Sequence, residues 1–183
     1  TRDLTAAFDT LETPPGAVRV GLAHGSISNR LPERSDAFNE IAEDRADRAR
    51  LDYLALGDWH GTLEIAPRTW YAGTPEPDRF HNNHPGNLLC VTLTRPGAPI
   101  QVDTLPCGHY HWTRLSMDLY GVQDIAALEQ RLRQLHDPRQ QILRLQLSGT
   151  LDLAGREQLE QLLDEWQARL HHLERDDRQL RAS

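Results

Sequence analysis

Three side chains with metal-ligating chemistry stand directly behind short apolar runs. His24 follows Val18-Arg19-Val20-Gly21-Leu22-Ala23, and Asp58 and His60 follow Leu51-Asp52-Tyr53-Leu54-Ala55-Leu56-Gly57. Imidazole nitrogen and carboxylate oxygen are both accepted by divalent transition metals such as manganese. His81 and His84 flank a turn at a spacing that could grip a metal or a phosphate, and Arg79 and Arg68 offer guanidinium groups for phosphate. Cys107, His109 and His111 alternate along an extended segment and would share one face, a three-ligand pattern with no fourth in range. The simpler readings are a loop histidine bonded to backbone for His24, a turn or capping aspartate for Asp58, and solvated arginines. Trp59 reads as a packing residue.

The apolar runs are the elements that would place these groups. Val18 to Ala23 and Leu51 to Gly57 read as buried strands. Between them Glu33 to Leu51 sets Phe38, Ile41, Ala42, Ala46 and Ala49 among charges at roughly helical spacing, which predicts an amphipathic surface helix. Strand, helix and strand imply a parallel crossover unit. Ligands in such units gather beyond the carboxyl ends of the strands, so His24, Asp58 and His60 are expected to converge on one edge.

From Thr69 the pattern changes to short β runs, Thr69 to Ala72, Leu88 to Leu93 and Ile100 to Leu105, parted by Pro, Gly and Asn turns. That half is expected to be mostly antiparallel. After Trp112 a strand (Leu115 to Leu119), a helix (Asp124 to His136, with Asp124 as N-cap), a strand (Gln141 to Leu147) and a long helix (Leu153 to Arg175) predict a small α+β module. The charged stretch beyond Leu173 is expected to fray. Two domains result, residues 1–111 and 112–183.

Composition narrows the function classes. The chain has 183 residues, enough for one ordinary core or a core plus a small module. No run of about eighteen apolar residues exists, and no signal-peptide pattern opens the chain, so a cytoplasmic location without membrane association is expected. The single methionine is Met117 and the chain opens Thr1-Arg2-Asp3, which reads as a fragment or a processed product. Two cysteines are too few for a disulfide framework. A net charge of -7, with every basic residue an arginine, is not the footprint of a protein that grips DNA by a broad basic face.

Two motifs, Leu22-Ala23-His24-Gly25 and Asp52-Tyr53-Leu54-Ala55-Leu56-Gly57-Asp58-Trp59-His60-Gly61, resemble the fourth and fifth motifs of calcineurin-like metallophosphoesterases. The following Tyr71-Ala72-Gly73-Thr74-Pro75-Glu76-Pro77 is similar to a stretch of SbcD-like nuclease subunits, the DNA-repair exonuclease branch. The resemblance implies an α/β chain: the C-terminal half of a metallophosphoesterase β-sandwich flanked by helices, followed by an α+β capping module. It implies two divalent ions, usually Mn2+, with His24, Asp58 and His60 as ligands; Asp58 stands where the nuclease pattern has a histidine. The three earlier ligand motifs and the catalytic histidine belong to an N-terminal half this chain does not carry, so the chain alone is expected to be inactive. His81, His84 and Arg79 would border the substrate groove. Partners implied are DNA, a coiled-coil ATPase of the SMC-like type, the N-terminal half and a second copy in a homodimer. Two other readings compete: a phosphodiesterase for cyclic nucleotides or other small phosphodiesters, and a non-catalytic interaction module.

Overall fold

The computed structural model describes residues 3–27, 39–80 and 83–183. The chain is mixed α/β and forms two compact units, Thr1–Gly108 and His109–Ser183. No helix among the described residues is long and apolar enough to cross a membrane.

In the first unit the two apolar runs become β1 (Val20–His24) and β4 (Tyr53–Gly57). They pair in parallel, with Val20 opposite Tyr53 and His24 opposite Gly57. β6 (Thr69–Tyr71) adds in parallel to β4, and β5 (Leu63–Ala66) closes the sheet antiparallel to β6. The order is β1-β4-β6-β5, which leaves β1 at an edge. Gly21, Leu54, Leu56 and Tyr71 face a core shared with Ile27, Ile41, Leu51 and Ile65. On the opposite face Val20 and Leu22 stay 48% and 75% exposed, beside His24.

The helix expected from Glu33 to Leu51 is not what its described part forms. From Asn39 the chain makes β3 (Glu40–Ile41), paired in parallel with β2 (Ser26–Ile27), and then only one turn of helix, α1 (Arg45–Arg48). The Asn39 side chain accepts from Leu4 N–H and donates to the His24 carbonyl, and Ile41 is fully buried opposite Ile27, so both are committed to tertiary partners before a helix can begin. The residues from Glu33 to Phe38 lie outside the described ones. α1 brings the buried guanidinium of Arg45 onto Asp9 (2.6 Å) and the Thr5 carbonyl, which anchors a 3-10 helix at Leu4–Asp9.

The later part of this unit is mostly antiparallel, with β6 against β5 and β7 against β8, and one parallel ladder. β7 (Asn87–Thr92) and β8 (Gln101–Pro106) form an antiparallel hairpin, whereas Thr69–Tyr71 is parallel to β4.

The second unit is a parallel three-stranded sheet, β9 (His111–Leu119), β10 (Gln141–Leu151) and β11 (His172–Ala182), in the order β11-β10-β9. Its crossovers carry α2 (Val122–Arg133) and α3 (Leu153–Arg169). Leu143, Leu145 and Leu147 alternate inward from β10 and meet Leu128 and Leu132 of α2 and Leu159, Leu163 and Trp166 of α3. Asp124 lies inside the first turn of α2 rather than at its N-cap, which is Gly121; its carboxylate accepts from Tyr120 N–H at 2.8 Å. α3 ends at Arg169 instead of running to Arg175, and the charged stretch forms β11 rather than fraying. That strand needs little apolar pattern because backbone pairing to β10 carries it, while its charges pair at the surface, as in Arg175 with Glu160 and Arg144 with Glu174.

Leu145 is fully buried at the centre of the second core. Leu145→Ala is expected to lower stability by about 2–5 kcal/mol, read as a shift of the denaturation midpoint of the second unit at unchanged slope.

Candidate metal centre

β1 and β4 run side by side, so the residues that follow them meet at one end of the sheet. His24 Nε2 lies 3.8 Å from Asp58 Oδ1. The other carboxylate oxygen of Asp58 accepts from the Ser26 hydroxyl at 2.6 Å. His24 has 78% of its side chain exposed. Gly57 makes room for the ring: a Cβ there would sit 2.9 Å from His24 Nδ1.

Asp58 takes φ of 113°, a conformation that side chains other than glycine rarely adopt. Such strain costs about 1–3 kcal/mol and persists only where surrounding contacts impose it. Here the contacts are the Ser26 hydroxyl and the His24 ring.

The loop after His24 is tied down from β6. The hydroxyl of Tyr71 accepts from Ile27 N–H (3.0 Å) and donates to the Gly25 carbonyl (2.7 Å). Burial pushes the Tyr71 phenol up to about 12, with the bond from the Ile27 amide acting against that shift and the nearby Asp58 carboxylate adding to it.

His60 follows a different partner. Its Nδ1 lies 2.8 Å from Asp78 Oδ2 and 3.1 Å from Arg79 NH2. Arg79 also grips Asp78 through Nε and NH2, and this hydrogen bonding is the main cause that holds the Asp78 carboxyl below its usual range. With Nδ1 donating to Asp78, Nε2 is left as the donor atom, an arrangement typical of metal-bound imidazoles; with Nδ1 accepting from Arg79, the proton sits on Nε2 instead. In the sequence Asp78 is marked only as a carboxylate beside the proline-rich stretch Thr74-Pro75-Glu76-Pro77.

His24 and Asp58 have donor atoms that a divalent ion accepts, at a spacing one ion could bridge. Two ligands each about 2.1 Å from one ion lie about 3 to 4 Å apart, depending on the angle between them, and the 3.8 Å between His24 and Asp58 falls in that range. Among the described residues no group of three or more His, Cys, Asp or Glu side chains is arranged to hold a metal ion. His24 and Asp58 therefore form the nucleus of the candidate centre, with His60 oriented from the same loop by Asp78.

The other sequence candidates are placed elsewhere. Arg79 is engaged by Asp78, and Arg68 donates to Asp47 (2.5 Å) and the Leu51 carbonyl. His84 is exposed, with φ of 55°, and its carbonyl accepts from Thr62 N–H. His81 lies outside the described residues. The Cys107 thiol donates to the Pro75 carbonyl, and His109 meets Tyr110 edge-on. Trp59 packs against the first core.

A scan of protein-family models gives no match to this chain, and a comparison with curated proteins gives none either.

Tyr71→Phe removes both bonds to the His24 loop and leaves a buried donor and acceptor unpaired, so a loss of about 1–3 kcal/mol is expected. The unfolded phenol ionises near pH 10 and the folded one near 12. The native chain then holds its proton over a window in which the unfolded chain has lost it, so wild-type stability should fall as pH rises from about 10 to about 12. Denaturant titrations across that range should show this Tyr71-linked fall in the wild type and not in the variant.

Proposed function

We propose that this chain supplies part of the metal centre of a phosphodiester hydrolase, with DNA as the substrate and repair nuclease activity as the role. The observation that carries the reading is the pairing of His24 with Asp58 at the carboxyl ends of adjacent parallel strands, with His60 two residues further on. The sequence order of these groups is that of the metallophosphoesterase resemblance. In this reading residues 1–111 are the C-terminal part of the metallophosphoesterase core and residues 112–183 are its capping module.

Bound divalent ions, Mn2+ by the resemblance, supply charge stabilisation at the phosphorus oxygens and a hydroxide nucleophile near neutral pH. The chain's own part is to present donors. His24 offers Nε2, Asp58 offers Oδ1 while Ser26 occupies its other oxygen, and His60 offers Nε2 while Asp78 holds Nδ1. The carboxylate at position 58 replaces an imidazole with a donor that manganese also accepts.

The remaining ligands come, on this proposal, from a further polypeptide segment. β1, an edge strand among the described residues, with Val20 and Leu22 exposed on the same face as His24, is the surface it would cover. A cytoplasmic setting, the coiled-coil ATPase partner and a homodimer belong to the same proposal.

In the intact protein, His60→Ala is expected to lower Mn2+-dependent cleavage of linear duplex DNA by about 100-fold or more, and Asp78→Asn by about 10- to 100-fold. Equal cleavage by wild type and His60→Ala would remove His60 from the centre. Absence of DNA cleavage with retained hydrolysis of a small phosphodiester would change the substrate and keep the chemistry.

A further inference from the structure

The first unit carries a second concavity at the other end of its strands. Arg19 precedes β1 and Asp52 precedes β4, so their end of the sheet is separated from His24 and Asp58 by the length of the strands, about 16 Å at roughly 3.3 Å per residue. A cavity of about 940 Å3 opens there, lined by Arg19, Arg48, Arg50 and Arg68. Three carboxylates, Asp9, Glu12 and Asp52, also border it.

Most of the neighbouring acids are already committed. Asp9 is paired with the buried Arg45 at 2.6 Å, and Asp47 with Arg68 at 2.5 Å. Asp52 accepts from the main-chain N–H of Gly97 and of Arg19, both at 2.7 Å, and the Gly97 bond is the main cause that holds its carboxyl low. Arg19 spends its guanidinium on two uncharged acceptors, the carbonyls of Phe8 and Leu11, and makes no ion pair among the described residues. Arg48 has only a loose contact with Asp44 at 3.9 Å and is half exposed.

Arg50 is the most telling member. α1 ends with Leu51 N–H bonded to the Ala46 carbonyl and Arg50 N–H bonded to the Asp47 carbonyl. That pair of bonds is a helix stop whose left-handed residue is usually glycine. Here the left-handed residue is Arg50, with φ of 53°. Its exposed side chain has no ion pair or hydrogen bond among the described residues, so the fold gains nothing visible from a guanidinium at a site where glycine would be less strained.

We propose that this cavity is a binding site for a phosphate group, with Arg48 and Arg50 as its principal donors and Arg19 as a fixed positive charge behind them. Guanidinium forks match the paired oxygens of phosphate, and several converging arginines suit an anion of more than one charge. The volume lies within the range of small-ligand pockets, which favours a free phosphoanion or a nucleotide over an extended backbone. Among the described residues Glu12 is the one lining carboxylate without a partner, and it opposes the anion. The site uses none of the candidate metal ligands.

Calorimetric titration of the chain at low ionic strength in EDTA, with pyrophosphate and separately with a short single-stranded oligonucleotide, tests the site without involving the metal centre. Saturable binding of pyrophosphate is expected; binding of the oligonucleotide alone would assign the same phosphate chemistry to a nucleic-acid backbone. Arg50→Gly should bind about tenfold more weakly or worse while melting at the same temperature or higher, because glycine relieves the left-handed backbone. Arg48→Gln, at a half-exposed position, should weaken binding without unfolding the chain, and Glu12→Gln should tighten it. Failure of the wild type to bind either probe, or undiminished binding by both arginine variants, would overturn the proposal.

Discussion

Five consecutive main-chain pairings between β1 and β4, from Val20 with Tyr53 to His24 with Gly57, decide where everything else in the first unit goes. Because side chains alternate faces along a strand, a slip of one residue would turn His24 into the core and bring Ala23 to the site. Two close approaches favour this register. Gly21 leaves no room for a side chain, since a Cβ there would lie 2.6 Å from Leu51 Cδ1, and Gly57 does the same under the His24 ring. Both glycines serve by lacking a Cβ, one toward the core and one toward the candidate centre.

Around that register the chain places polar groups with buried support. The Tyr71 hydroxyl, reaching from β6, satisfies two backbone groups of the loop that follows His24, and Asn39 holds the carbonyl of His24 itself. Ser26 fixes one oxygen of Asp58 and leaves the other beside His24. A strained aspartate backbone, an exposed histidine and a buried tyrosine thus belong to one small structure. A solvated turn would need none of these constraints.

The second unit solves a different problem. Its single sheet is covered on one face by α2 and α3, and the leucines of β10 that face those helices supply much of the core. β11 contributes few apolar side chains, with Leu180 buried and Leu173 partly so, and is held by its ladder to β10 and by surface ion pairs. An extra residue in β11, between the partners of Gln146 and Ser148, bends the ladder and lets charged residues stay at the surface.

Local pattern was enough for some elements: the apolar runs of β1 and β4, the helical stripes of α2 and α3, and the placement of His24 and Asp58 at the ends of adjacent strands. Periodicity and burial coincide there, so the residues announce their own structure. Tertiary structure alone decided the rest. Glu40–Ile41 became a strand because Ile27 was available to pair with Ile41, and His172–Ala182 became a strand because β10 had an open edge; neither partner can be read from the segment itself. The same holds for Asp78 on His60 and for Arg50 in the arginine-lined cavity. Such contacts join residues that only folding brings together, and a pairing energy that depends on distance leaves no mark on local sequence.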